Sequence, residues 1–143
     1  MSGDSQQPPE PADSRSLEEL LEVLRVSDQR ELYERGIEQG QETGHPVAVI
    51  VKALSDLPGV TGLEALRASR RVVELLTNAR WHMMRQAREE GSSWSQVGSA
   101  LGVSKQAAYD FYRRKLDQQD ASPTPETYNT ERSRAALGPN ANG

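Results

Sequence analysis

The sequence predicts an all-α protein, a small helical domain with a long central helix and unfolded tails at both ends. Three observations support this. Three capping boxes mark helix starts, pairing Ser16 with Glu19, Thr61 with Glu64, and Ser93 with Gln96. Apolar residues recur every three or four positions between these starts. The one stretch that reads as a strand, Val47–Val51, has no second strand to pair with.

The elements follow in chain order. Residues 1–15 are rich in Pro, Ser, Gln and acid, and bury too little apolar surface to offset chain entropy. They are expected to be unfolded, as are residues 119–143. Leu17, Leu20, Leu21 and Leu24 form the stripe of a short amphipathic helix. Ser27 is positioned to cap a second, more polar helix anchored by Leu32, Tyr33 and Ile37 and ended by Gly44. Val47, Ile50, Val51 and Leu54 suit a third helix, with Pro46 in its first turn. From Thr61 to Glu90 nothing interrupts a helical pattern. Ala65, Ser69, Val72, Leu76, Ala79, Met83 and Ala87 make its stripe, flanked by Leu66, Val73 and Met84. Such a helix serves as a spine for smaller helices or as a dimer seam.

Composition narrows the function classes. Hydrophobic residues make up 35% of the 143, and cysteine is absent, which removes disulfides, cysteine zinc sites and cysteine nucleophiles. No apolar run approaches membrane-spanning length and the first residues do not read as a secretory signal, so a cytoplasmic, nucleoid-associated location is expected. The net charge of −4 is unevenly divided. Residues 1–61 carry 5 Lys/Arg against 12 Asp/Glu, residues 62–116 carry 10 against 5, and residues 117–143 carry 2 against 4. An acidic arm beside a basic segment points to a polyanion partner for the latter. No phosphate loop, metal-ligand spacing or nucleophile–base set is present, so no enzyme activity, cofactor or metal is expected.

The most informative stretch is "WSQVGSALGVSKQAAYDFYRRK", residues 94–115. Ser93 opens a helix that runs to about Leu101, Gly102 supplies a left-handed turn position, and Ser104 caps a second helix from Lys105 to about Leu116. Two such helices around a glycine turn form a helix-turn-helix. Val97, Leu101, Val103, Ala108 and Phe111 are expected between the helices, with Gly98, Ala107 and Ala108 keeping the crossing tight. The stretch resembles the helix-turn-helix of bacterial transcription regulators, especially the sigma-region-4-like and resolvase-like units of actinobacterial proteins. Trp94, Val97, Gly98, Leu101, Gly102, Ser104, Gln106, Ala107 and Ala108 carry the likeness, which covers about residues 80–115. Residues 16–60 add nothing to it. Asp110 departs from it, as an acid on a helix that would face phosphates.

The resemblance implies that the second helix enters the DNA major groove. Lys105, Gln106 and Tyr109 would then read bases, and Ser104, Arg113, Arg114 and Lys115 would hold phosphates; Arg80, Arg85 and Arg88 read first as a solvated helix face, with added backbone contacts as the alternative. Plain structural roles compete: Tyr109 half-buried against Trp94, or Arg113–Lys115 complementing a helix dipole. The expected organisation is a tail (1–15), an acidic helical lobe (16–60), the long helix with the helix-turn-helix (61–118), and a second tail (119–143). The expected function is sequence-specific transcriptional regulation on double-stranded DNA, with a homodimer or protein partner engaged through residues 16–90. The alternatives are a module that docks on RNA polymerase or a sigma factor, and a nonspecific nucleoid-associated binder.

Overall fold

A computed structural model describes residues 13–121 and 130–142. Among the described residues the fold is all-helical: α1 (Leu17–Thr43), α2 (Ala48–Asp56), α3 (Gly62–Glu89), α4 (Trp94–Leu101), α5 (Lys105–Ala121) and α6 (Thr130–Leu137). The chain forms two compact units, residues 1–75 and 76–143. The division falls inside α3, whose first half shares a core with α1.

In the first unit the capping box of Ser16 and Glu19 forms as expected. The two N-terminal helices expected here are one. Ser27 lies inside α1, because nothing between Leu24 and Asp28 stops propagation once the first turn is nucleated. Gly36 and Gly40 lie inside this helix for a packing reason. A Cβ on Gly40 would collide with the Val47 side chain, and one on Gly36 would meet Ile50 at 3.4 Å, so the two glycines let α2 cross closely. Gly44 ends α1 in the left-handed conformation. Pro46 sits just before α2 and outside its first turn. Leu20 packs with Ala68 and Val72 of α3, supported by Val23, Leu24 and Leu75. Arg30 ties the α2–α3 connection to α1 by donating to the Val60 carbonyl at 2.6 Å. Of the N-terminal arm expected to be unfolded, residues 1–12 lie outside the described residues. Asp13 and Arg15 form an ion pair directly before α1.

The Thr61–Glu64 box opens α3. Its buried face is set differently from the expected stripe. Ala65, Ala68 and Val72 are buried in the first unit, and Trp81 and Met84 in the second. Leu66, Val73, Leu76 and Met83 are exposed instead. Sequence periodicity identifies an apolar band about 100° wide, but its partners decide which edge is covered.

The second unit departs most from expectation. Residues 119–121 complete α5, and residues 130–142 form α6 and a following turn. The unfolded tail expected over 119–143 is therefore corrected for these residues; 122–129 and 143 lie outside the described residues. α6 is short and polar, but Ser133, Ala136, Leu137 and the later Ala141 are buried. They join a core of Trp81, Met84, Trp94, Val97, Ala108, Tyr109, Tyr112 and Leu116.

α6 also satisfies buried donors. Trp94 Nε1 donates to the Leu137 carbonyl at 2.9 Å, and Tyr112 Oη donates to the Ser133 carbonyl at 2.8 Å. Arg88 donates to the Ala136 and Ser92 carbonyls, both at 2.9 Å, with its guanidinium 5.0 Å from the centre of the Trp94 ring. Arg132 holds Glu89 across from α6, and Arg134 pairs with Asp120.

Acid is expected to loosen this attachment. Hydrogen bonding from Arg132 holds the Glu89 carboxyl below the usual glutamate range. A carboxylate lowered on folding adds stability at neutral pH that is lost as the pH falls through its folded pKa. Partial desolvation where its ring lies against Trp81, then nearby Arg85, lowers the otherwise exposed His82 imidazole, so the folded state favours its neutral form and loses stability as that ring takes up a proton. Thermal melts from pH 8 to 2 should therefore decline toward acid, and Glu89→Gln should flatten the limb below the usual glutamate range. An acidic limb equally steep in Glu89→Gln would remove Glu89 from this account.

Candidate nucleic-acid interface

The turn between α4 and α5 is built from local chemistry. Ser93 and Gln96 close the predicted capping box at the start of α4. Gly102 ends α4 at φ 71°, a left-handed conformation that costs other residues about 1 kcal/mol or more. Ser104 Oγ accepts the Ala107 N–H at 3.1 Å and caps α5. Val103 N–H bonds back to the Gly98 carbonyl at 2.9 Å.

Gly98 is buried, and the close approach expected there comes from the backbone that leads into the second helix. A Cβ there would lie 2.8 Å from the Val103 carbonyl oxygen and 2.9 Å from the Ser104 carbonyl carbon and oxygen. It makes room for the backbone of the turn and of the Ser104 cap that leads into the second helix.

Trp94 is the hub of this unit. It is fully enclosed and meets Tyr109 edge-on at 5.5 Å and Tyr112 at 5.5 Å between ring centres. Trp81 adds a tilted contact to Tyr112 at 6.3 Å. The inner face of α5 is thus Ala108, Tyr109, Tyr112 and Leu116. Val97 and Ala108 are buried between the helices as expected, and Leu101 and Phe111 pack at the core's margin.

Two expected positions are corrected. Tyr109, expected among the base-reading residues, is only 8% exposed and belongs to the core, because its ring completes the Trp94 cluster. Val103 is 47% exposed, since the turn carries it outward past Gly102.

Lys105, Gln106 and Ala107 are exposed at the start of α5, as are Arg113 and Arg114 further along. Ala107 was expected in the helix crossing; it lies instead on the open face beside Gln106. The side chains at 105 and 106 diverge by about 100° around the axis. Lys105 Nζ reaches the Asn142 side-chain oxygen at 3.1 Å, in the turn after α6. Gln106 Nε2 donates to Asp110 Oδ1 at 3.0 Å. Arg113 lies 3.6 Å from the same oxygen, and Arg114 Nε donates to the Asp110 carbonyl at 3.3 Å. Lys115 is half-buried, its ammonium 6.0 Å from the Phe111 ring centre. The outer face of α5 therefore runs from Gln106 and Ala107 through Asp110 to Arg113 and Arg114.

Several of the ten bases of residues 62–116 are held by structural partners within their own unit. Arg70 and Arg71 both pair with Glu74 in the first unit. Arg88, read from the sequence as part of a solvated face, is committed to the Ala136 and Ser92 carbonyls, and the Arg85 side chain is 19% exposed above the Trp81 ring. Arg80 remains exposed. Sequence reasoning passed over Ala107 as a surface residue and over Asp110 as a partner of Gln106. The i, i+4 spacing of Gln106 and Asp110 was the available signal.

His82 is exposed beside Trp81, and the His45 ring lies 2.7 Å from Thr43 Oγ1. No group of three or more residues able to hold a metal ion, and no helix long and apolar enough to cross a membrane, occurs among the described residues. Compared with known proteins, the chain matches no family model, and no curated protein or solved structure is significantly similar to it.

Proposed function

We propose that this protein is a sequence-specific, DNA-binding transcriptional regulator, acting at the nucleoid without catalysing a reaction, that presents the start of α5 to the major groove. The observation that carries this reading is the two-sided character of α5. Its inner face is locked into the core by Tyr109, Tyr112 and Leu116, while Gln106, Ala107, Arg113 and Arg114 stay open to solvent. A helix held rigidly on one side and polar on the other suits insertion into a groove about 12 Å wide. Ser104 and the first N–H groups of α5 suit a phosphate, and Arg113, Arg114 and Lys115 suit phosphates along the groove wall. Gln106 suits adenine, Lys105 guanine, and the Ala107 methyl a thymine methyl.

Selection from random double-stranded DNA tests the reading. The wild type should enrich a motif. Gln106→Ala and Lys105→Ala should each relax one position by about 1–3 kcal/mol, whereas Arg113→Ala should weaken all sequences alike and lower the salt slope by about 1. A wild type that enriches nothing and binds no better than its variants would end the proposal. Uniform, steeply salt-dependent binding would instead favour nonspecific coating of DNA.

A second reading concerns the first unit, where α2 has no fully buried residue and Val49 is 83% exposed. Exposed Leu21 and Leu32 add apolar surface to α1, which carries eight acids against three bases. These features favour a protein contact there, either a second copy or a component of the transcription machinery. One helix-turn-helix buries little DNA-facing surface, so such a contact would also supply affinity.

A further inference from the structure

We infer that Asp110 is a positioning residue that orients the Gln106 amide and makes this site select adenine. The inference rests on the proposed reading of α5 and assigns the base preference within it. Asp110 is the one acid on the outer face between Gln106 and Arg114, where a carboxylate opposes phosphate binding. Its position is explained by what it touches. Oδ1 accepts from Gln106 Nε2 at 3.0 Å and attracts the Arg113 guanidinium at 3.6 Å.

An ionised carboxylate only accepts hydrogen bonds. The Gln106 end that it holds must therefore be the NH2, not the carbonyl. One N–H is spent on Asp110. The remaining N–H and the carbonyl oxygen stay on the open side as an adjacent donor and acceptor. That pair matches adenine, which presents an acceptor at N7 and a donor at N6 in the major groove. It does not match guanine, whose N7 and O6 both accept. A glutamine free to rotate could turn its amide toward several bases. Asp110 holds one orientation and offsets part of the ordering cost before DNA arrives. The same carboxylate draws in Arg113, one turn on, and offsets part of the charge that would otherwise grip any phosphate.

Overall affinity and selectivity should consequently move in opposite directions. In Asp110→Ala, binding to random duplex should tighten a few-fold. The preference for adenine at the Gln106 position should fall at least about threefold, against about tenfold or more in Gln106→Ala. Asp110→Asn retains an oxygen acceptor without the charge. It should tighten nonspecific binding as Asp110→Ala does, while keeping most of the adenine preference. Base preference is read by competition between duplexes that differ at that position alone. A second readout needs no DNA: the two side-chain amide proton signals of Gln106, recorded on the full chain, should shift in Asp110→Ala and stay near wild type in Asp110→Asn.

Several results would overturn the assignment. One is an adenine preference in Asp110→Ala equal to that of wild type. Another is an equal loss in both variants, which would make charge, not the hydrogen bond, the agent. A change confined to a cytosine elsewhere in the site would mean that Asp110 reads a base directly. A wild type that selects no motif would remove the functional reading together with this one. A wild type that selects a motif which Asp110→Ala leaves intact would remove only the role of Asp110.

Discussion

A chain ended after Ala121 is expected to lose the native packing of its second unit. Without α6 the indole N–H of Trp94 and the hydroxyl of Tyr112 lose the Leu137 and Ser133 carbonyls. Each of these hydrogen bonds exchanged for one to water costs about 0.5–1.5 kcal/mol net. The core also loses Ala136, Leu137 and Ala141, and opens the side of Trp94 and Tyr112 that they cover. At about 25 cal/mol per Å² of apolar surface, exposing part of two large aromatics adds a comparable amount. The combined loss, on the order of 5 kcal/mol, rivals the whole stability of a small domain, about 5–15 kcal/mol. Near-ultraviolet circular dichroism should show collapse of the aromatic signal, and thermal unfolding of this unit should lose cooperativity. A truncated chain that melts like the full-length protein would show that α6 contributes nothing to this core. The DNA selectivity proposed for this protein should be lost with the fold, because α5 is held in place through the same aromatic residues.

The second large effect is expected at Gly98. A methyl at that position would lie 2.8–2.9 Å from the backbone of Val103 and Ser104, and neither peptide group can move without disturbing the Gly102 turn or the α5 cap. Gly98→Ala should therefore destabilise the second unit by about 1–3 kcal/mol, the usual cost of overpacking, despite the better helix propensity of alanine. Gly98→Val should cost more and shift the start of α5 relative to α4. The control is Ser99→Ala, one residue along α4 and exposed, which should stay within about 0.5 kcal/mol of wild type. Denaturant titration followed by tryptophan fluorescence measures all three. Gly98→Ala as stable as Ser99→Ala would mean that the turn yields easily and that glycine is not required there.

These expectations draw on different kinds of information. The helix starts at Ser16, Thr61 and Ser93 and the stops at Gly44 and Gly102 were legible because each depends on side chains within four residues. The exposed start of α5 was legible for the same reason. The union of α1 was not, because Ser27 is compatible with either a cap or a helix interior, and nothing local separates the two.

The remainder required partners distant in the chain. Trp94 bonds 43 residues away and Tyr112 bonds 21 residues away, both to backbone carbonyls whose residue types carry no signal. A stretch as polar as 130–142 reads as unfolded in isolation, since its few apolar residues cannot bury one another. They are buried because they close the side of an aromatic core that α3, α4 and α5 leave open. The Trp94 ring takes Tyr109 into the same core, and α6 commits Arg88 to structure. Capping and periodicity act over a few residues and are written in the local order of side chains. Which face of each helix stays wet is decided by surface that meets only when the chain has folded.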